Sequence, residues 1–180
     1  MRVDKHHWFS RIQRKPSPNC DPRPDRRDIG LVVVHNVSLP PGEFGGSDVE
    51  ALFLNRLDIS KHPSYDSLAS VPVSAHLYID RRGRCTQFVA LDQRAWHAGV
   101  SRWRGRSNCN DFSIGIELEG TDERPYTRAQ YRRLGAVLAA LFKKSPRLSP
   151  DAVVGHQEVA PGRKTDPGPA FDWPRALKFT

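Results

Sequence analysis

The chain has 180 residues, 38% of them hydrophobic, and a net charge of +8, which fits one domain with a proper core and favours anionic partners. No apolar run approaches the roughly 20 residues that span a bilayer, and the start, MRVDKHHWFSRIQRK, has no apolar signal-peptide core, so no membrane partner is expected and the expected setting is cytoplasmic. The positive charge is spread along the chain without a recognised nucleic-acid motif, which argues against nucleic acid as the partner.

Taken in order, residues 4–14 place Trp8, Phe9 and Ile12 at a spacing that predicts a short helix. Pro16, Pro18, Pro22 and Pro24 then force extended coil, and residues 1–30 are expected to wrap the surface. Leu31–His35 reads LVVVH, and four consecutive aliphatics predict a strand buried on both faces. His35 closes it, where a sheet end forms clefts. Ser47-Asp48-Val49-Glu50 has the form of a capping box, and Val49, Leu52, Phe53 and Leu57 predict a helix over 48–57. Residues 58–72 read as a polar loop bordering a groove.

Val73–Asp80 alternates, which predicts a half-buried strand with Ser74, His76, Tyr78 and Asp80 on its polar face. A turn at Arg81–Gly83 returns it as a hairpin through Cys85–Ala90. Trp96 beside His97 on a glycine-containing loop reads either as a wall for a sugar or peptide or as a core anchor. In Asp111–Gly120, Phe112, Ile114, Ile116 and Leu118 share one face, and Ser113, Gly115, Glu117 and Glu119 the other. Gly115 leaves room for a close approach. Carboxylates on such a strand need a reason: a general base, or a partner orienting a metal-ligating histidine. Thr127 and Gln130 form a second capping box, opening an amphipathic helix to about residue 143. Cys20, Cys85 and Cys109 are odd in number and scattered, so free thiols are expected.

Asp151–Gly155 predicts a last short strand, followed by GHQEVAPGRKTDPG over 155–168 and a terminal helix or turn over 171–177. Pro161, Pro167 and Pro169, with Gly155, Gly162 and Gly168, argue against a helix there. His156 closes its strand as His35 closes the earlier one. A catalytic zinc takes three protein ligands plus water. His156 and Asp166 supply two, and His35 or its rival His76 the third; the residues alone do not separate these two.

The segments VVHNVSLPPGEFGG (33–46), VSAH (73–76), RAWHAGVS (94–101), CNDFSIGIELEGTD (109–122), GH (155–156) and RKTDPG (163–168) together resemble the amidase_2 family, which is related to a phage lysozyme and to peptidoglycan recognition proteins. The similarity includes the cytoplasmic members that act on anhydromuramyl peptides. It implies an α/β fold in a single domain, a central mixed β-sheet flanked by helices on both faces. It implies zinc on His35, His156 and Asp166, with Glu117 and Lys164 as the catalytic pair. Asn36, Trp96, His97 and Arg163 match positions near a muropeptide substrate. Some members carry arginines where this chain has Asn108 and Pro72; Arg106 is the nearby substitute. The implied activity is hydrolysis of the amide between the muramyl lactyl group and L-alanine, by a chain expected to be monomeric. A broader amidase on intact muramyl peptides, or a peptidoglycan-binding module, are the rival readings.

Overall fold

The computed structural model describes residues 1–69 and 71–178. Its strands are β1 (Gln13–Arg14), β2 (Cys20–Pro22), β3 (Leu31–Val37), β4 (Leu77–Ile79), β5 (Cys85–Gln87), β6 (Gln93–Ala95), β7 (Arg102–Trp103), β8 (Arg106–Ser107), β9 (Ser113–Glu119) and β10 (Val153–Gly155). The helices are α1 (Asp48–Phe53), α2 (Arg128–Lys144), α3 (His156–Val159) and α4 (Trp173–Leu177). A six-stranded sheet runs in the order β1-β5-β4-β9-β3-β10. Strands β4, β9, β3 and β10 are mutually parallel, β5 is antiparallel to β4, and β1 is parallel to β5. The sheet is mixed, as expected.

Leu31, Val32, Val33 and Val34 are all fully buried, because β3 is covered on both faces. One face packs under α2, where Val32, Val34, Ile114, Ile116, Leu118, Leu134, Val137, Leu138 and Leu141 form the main core. Each such aliphatic contributes about 1.5–3 kcal/mol of burial. Thr127 accepts from the Gln130 amide and the Gln130 side chain answers the Thr127 amide, so the capping box forms. On the other face α1 packs Val49, Leu52 and Phe53 against Tyr78 and Phe88.

Several sequence expectations fail for local reasons. No helix spans residues 4–14. The Asp4 carboxylate accepts from the His6 and Trp8 amides and ties a turn that competes with helix. Phe9, fully buried, enters the main core from this segment. The expected capping box at Ser47 is absent: Ser47 makes no side-chain cap bond, and Glu50 pairs with Lys15 instead. Helix α1 stops at Phe53, since Asn55 is left-handed at φ 55°. Residues 59–61 and 63–68 form 3-10 turns inside the expected loop. The strand over 73–80 shrinks to 77–79, and its polar face is dry, with Ser74, His76 and Asp80 buried. One turn of helix, α3, does form after Gly155, ahead of the prolines that end it. The thiols of Cys20, Cys85 and Cys109 are free.

Candidate metal centre and active-site groove

Parallel pairing of β10 with β3 sets Gly155 opposite Val34. His156 and His35 are the residues that follow, so both imidazoles emerge side by side at the same end of the sheet. The 160–168 loop folds back over them. The Gln157 amide of α3 donates to the Asp166 carbonyl (3.0 Å) and the Tyr126 hydroxyl donates to the Pro167 carbonyl (2.8 Å). Asp166 is thereby delivered to the two histidines. His35 Nδ1 and His156 Nδ1 lie 3.0 Å apart, and Asp166 Oδ2 lies 3.1 Å from each. Both rings are buried.

Burial holds the His35 imidazole down to about 4, against the support of its hydrogen bond to Asp166. Burial alone would raise the Asp166 carboxyl. Its hydrogen bonds to His156 and His35 outweigh that and hold it well below the ordinary range. His156 Nε2 sits 3.2 Å from the Ala98 carbonyl, and the tautomer that donates there is the one that offers a bare Nδ1 to a cation. A carboxylate oxygen and imidazole nitrogens converging on one point are a donor set for a divalent cation.

Glu117 stands across from His35 in the β3–β9 register. It is half-buried, and its Oε2 is enclosed without a hydrogen-bond partner. Burial first, then the charge of Asp166, raises its pKa well above the ordinary value, and Lys164 pulls the other way. Lys164 is exposed on the loop. A groove of about 570 Å³ holds all these groups. Trp96, Asn36 and Asp122 form polar parts of its wall, and Leu52, Phe53, Leu68, Val71 and Val73 an apolar side.

The other expected site residues divide. Trp96 lines the groove. Asn36 lines it too, but its amide donates to Asp122 Oδ1 at 2.7 Å. Arg163 straps the neighbouring loop, donating to the Ala98 and Val100 carbonyls at 2.6 and 2.7 Å. His97 sits behind His35, with its Nδ1 2.9 Å from His35 Nε2. His76 lies outside the cluster: its Nδ1 accepts from the Gly115 amide (3.0 Å) and its Nε2 faces the Gln93 carbonyl and Arg23. Arg106 does not line the groove; it pairs with Asp28 at 2.6 Å and stacks on Phe112. Gly115 does leave room for a close approach, but for His97: a Cβ there would fall 2.4 Å from the ring. Asp122, Asn110 and Ser113 escaped the sequence reading. Only Ser113 had a signal, since it shares the β9 face with Glu117.

A sheet end that presents two histidines, a loop aspartate and an enclosed glutamate in one groove defines a hydrolase-type site with a candidate metal centre. Residues 25–169 match the Amidase_2 family, described as N-acetylmuramoyl-L-alanine amidase, and the chain belongs to that family. It is 55% identical over 168 residues to the 1,6-anhydro-N-acetylmuramyl-L-alanine amidase AmpD of Salmonella typhimurium, covering 93% of this chain and 89% of that protein. It is 54% identical to AmpD of Escherichia coli, over 93% of this chain and 91% of that one. The structure matches the crystal structure of a Se-Met AmpD derivative with a TM-score of 0.96 at 51% identity, covering 99% of each chain. It also matches AmiD from E. coli in complex with the substrate anhydro-N-acetylmuramic acid-L-Ala-D-gamma-Glu-L-Lys, with a TM-score of 0.62 at 28% identity, over 92% of this chain and 60% of that one.

Proposed function

We propose that this chain is a zinc-dependent 1,6-anhydro-N-acetylmuramyl-L-alanine amidase of cell-wall recycling, acting in the cytoplasm. It hydrolyses the amide between the lactyl group of the anhydromuramyl sugar and L-alanine. The observation that carries the reading is the triangle of His35 Nδ1, His156 Nδ1 and Asp166 Oδ2, with sides of 3.0–3.1 Å. Zinc bonds of about 2.0–2.1 Å set tetrahedral neighbours roughly 3.3 Å apart, close to these sides. The resemblance to AmpD proteins over most of the chain supports the substrate class. The described residues include no helix long and apolar enough to cross a membrane, which is compatible with the proposed setting.

His35, His156 and Asp166 would hold the zinc, which supplies a Lewis acid at the floor of the groove. Glu117 takes the proton of the attacking water and returns it to the departing alanine nitrogen. Lys164 stabilises the negative charge that develops on the carbonyl oxygen. Trp96 offers a flat face to the sugar, Asn36 and Arg163 complete the substrate side of the groove, and the His97 ring edges it behind His35.

Mass spectrometry of anhydro- and non-anhydro-muropeptide digests tests this, with protein that has been stripped by chelator and then given zinc. The expected result is free peptide and peptide-free anhydromuramyl sugar only when zinc is present. Equal cleavage of both sugars would broaden the assignment to a general muramyl-peptide amidase. Undiminished cleavage after chelation would sink the metal part.

A further inference from the structure

We propose that His97 and Ser113 are positioning residues that set the tautomer and ring angle of His35. The inference rests on the zinc reading above. A ligating imidazole offers one bare nitrogen and carries its proton on the other. At His35 the nitrogen shared with His156 and Asp166 is Nδ1, so the proton is on Nε2. That atom lies 2.9 Å from His97 Nδ1, so His35 donates and His97 accepts. The single proton of a neutral His97 is then on its Nε2, 3.0 Å from Ser113 Oγ. Ser113, fully buried, accepts it. The hydrogen bonds run one way, from His35 to His97 to Ser113. The other tautomer of His97 sets two N–H groups against each other in a buried site and loses a hydrogen bond.

The seat is built for this ring. The bare α-carbon of Gly115 lies under it, where a Cβ would come within 2.4 Å of His97 Cγ. The amides of His97 and Ala98 both donate to Asn110 Oδ1, at 3.2 and 2.8 Å. The next carbonyl along, that of Ala98, receives His156 Nε2. One braced segment therefore backs both histidine ligands. With each ring nitrogen engaged, His97 keeps no hydrogen-bonding atom for a muropeptide, so its main work is on the ligand.

The test measures zinc affinity by competition with a chromophoric chelator, for the wild type and for His97→Phe, His97→Asn and Ser113→Ala. Phe keeps the ring and removes the acceptor. Asn loses the ring but places Oδ1 near the position of Nδ1. Zinc affinity is expected to fall about 10–100-fold in His97→Phe, and to stay within about threefold in His97→Asn, since the lost ring does not remove the acceptor. Packing alone would order them the other way. Wild-type affinity in His97→Phe, or weaker binding by His97→Asn than by His97→Phe, overturns the inference. If His97→Phe does not fold, Ser113→Ala decides: a loss of roughly threefold or more supports the inference and unchanged affinity overturns it. A wild type that binds no zinc overturns the zinc reading and this inference with it. A wild type that binds zinc beside an unaffected His97→Phe overturns the inference alone.

Discussion

His35 and Glu117 occupy matched positions on the adjacent parallel strands β3 and β9. The sheet is thus the ruler between a candidate ligand and a candidate base, with their backbones one strand spacing of about 4.8 Å apart. A one-residue slip of β9 would turn Glu117 into the core under α2 and put an aliphatic in the groove. The β9 alternation, with Ile114, Ile116 and Leu118 in that core, forbids the slip.

Glu117→Gln keeps size and removes the base. Zinc content is expected to stay at the wild-type level while turnover on an anhydromuropeptide falls by about 10²-fold or more. The enclosed Oε2 has no partner, so the ionised side chain costs the metal-free fold stability. The metal-free variant is therefore expected to melt a few degrees above the metal-free wild type. Near-normal turnover would move the base role elsewhere, and an unchanged or lower melting temperature would contradict the burial argument.

Ligand and bystander histidines separate by metal analysis. Asp166→Ala and His35→Ala are expected to lose zinc and activity together. His76→Ala is expected to keep its zinc, because both ring nitrogens of His76 already have partners outside the cluster. Its cost is in stability, about 1–3 kcal/mol for the Gly115 amide left without an acceptor. Zinc lost from His76→Ala and retained by His35→Ala would reverse the assignment.

Stability of the metal-free protein is expected to fall on mild acidification. The folded pKa of His35 is about 4, below its ordinary 6.5, so the unfolded chain binds more protons between these values. The stability that neutral His35 permits is present above about 6.5 and lost as the pH falls towards 4. Asp166, also lowered, contributes stability above its ordinary 3.8 and loses it as the pH falls further, through its folded value. Glu117, raised above its ordinary 4.5, acts in the opposite sense, since the folded state takes up its proton first. Denaturant midpoints measured between pH 7.5 and 4.5, roughly spanning the histidine range, should therefore drop more steeply in the Glu117→Gln background than in the wild type. A flat profile in that background would contradict the buried-histidine argument.

The aliphatic runs made much of the fold and site legible. LVVVH fixed β3 and put His35 at its end, and the β9 alternation placed Glu117 in the groove. What sequence hid were choices between equivalent short-range options. Asp4 could start a helix or tie a turn, and a carboxylate bonded to two amides settles it for the turn. His76, on the polar face of a predicted strand, and His35, at the end of an aliphatic one, both read as available ligands. They part through Arg23, Gly115 and Gln93, contacts made across long chain separations. His97 does border the groove, but that its ring also rests on Gly115 and backs His35 is set by the fold and not by any local pattern.

Gly168 offers the most selective test of how the loop delivers Asp166. Its φ is +79°, and a Cβ there would stand 2.2 Å from the Asp122 α-carbon. That neighbour is backbone and has no side-chain freedom with which to yield. Gly168→Ala must therefore push the 164–168 loop off the sheet, carrying Asp166 and Lys164 with it, although no functional group has been removed. Zinc affinity and turnover are expected to fall together by about tenfold or more, the scale of a displaced ligand support. Gly162→Ala is the control. Its φ of +75° imposes a similar backbone strain, but no atom lies within 4 Å of its Cβ. That variant should lose only about 1 kcal/mol of stability and keep wild-type zinc affinity. Equal effects of the two substitutions on zinc binding would mean that strain, and not the seat on Asp122, governs the loop.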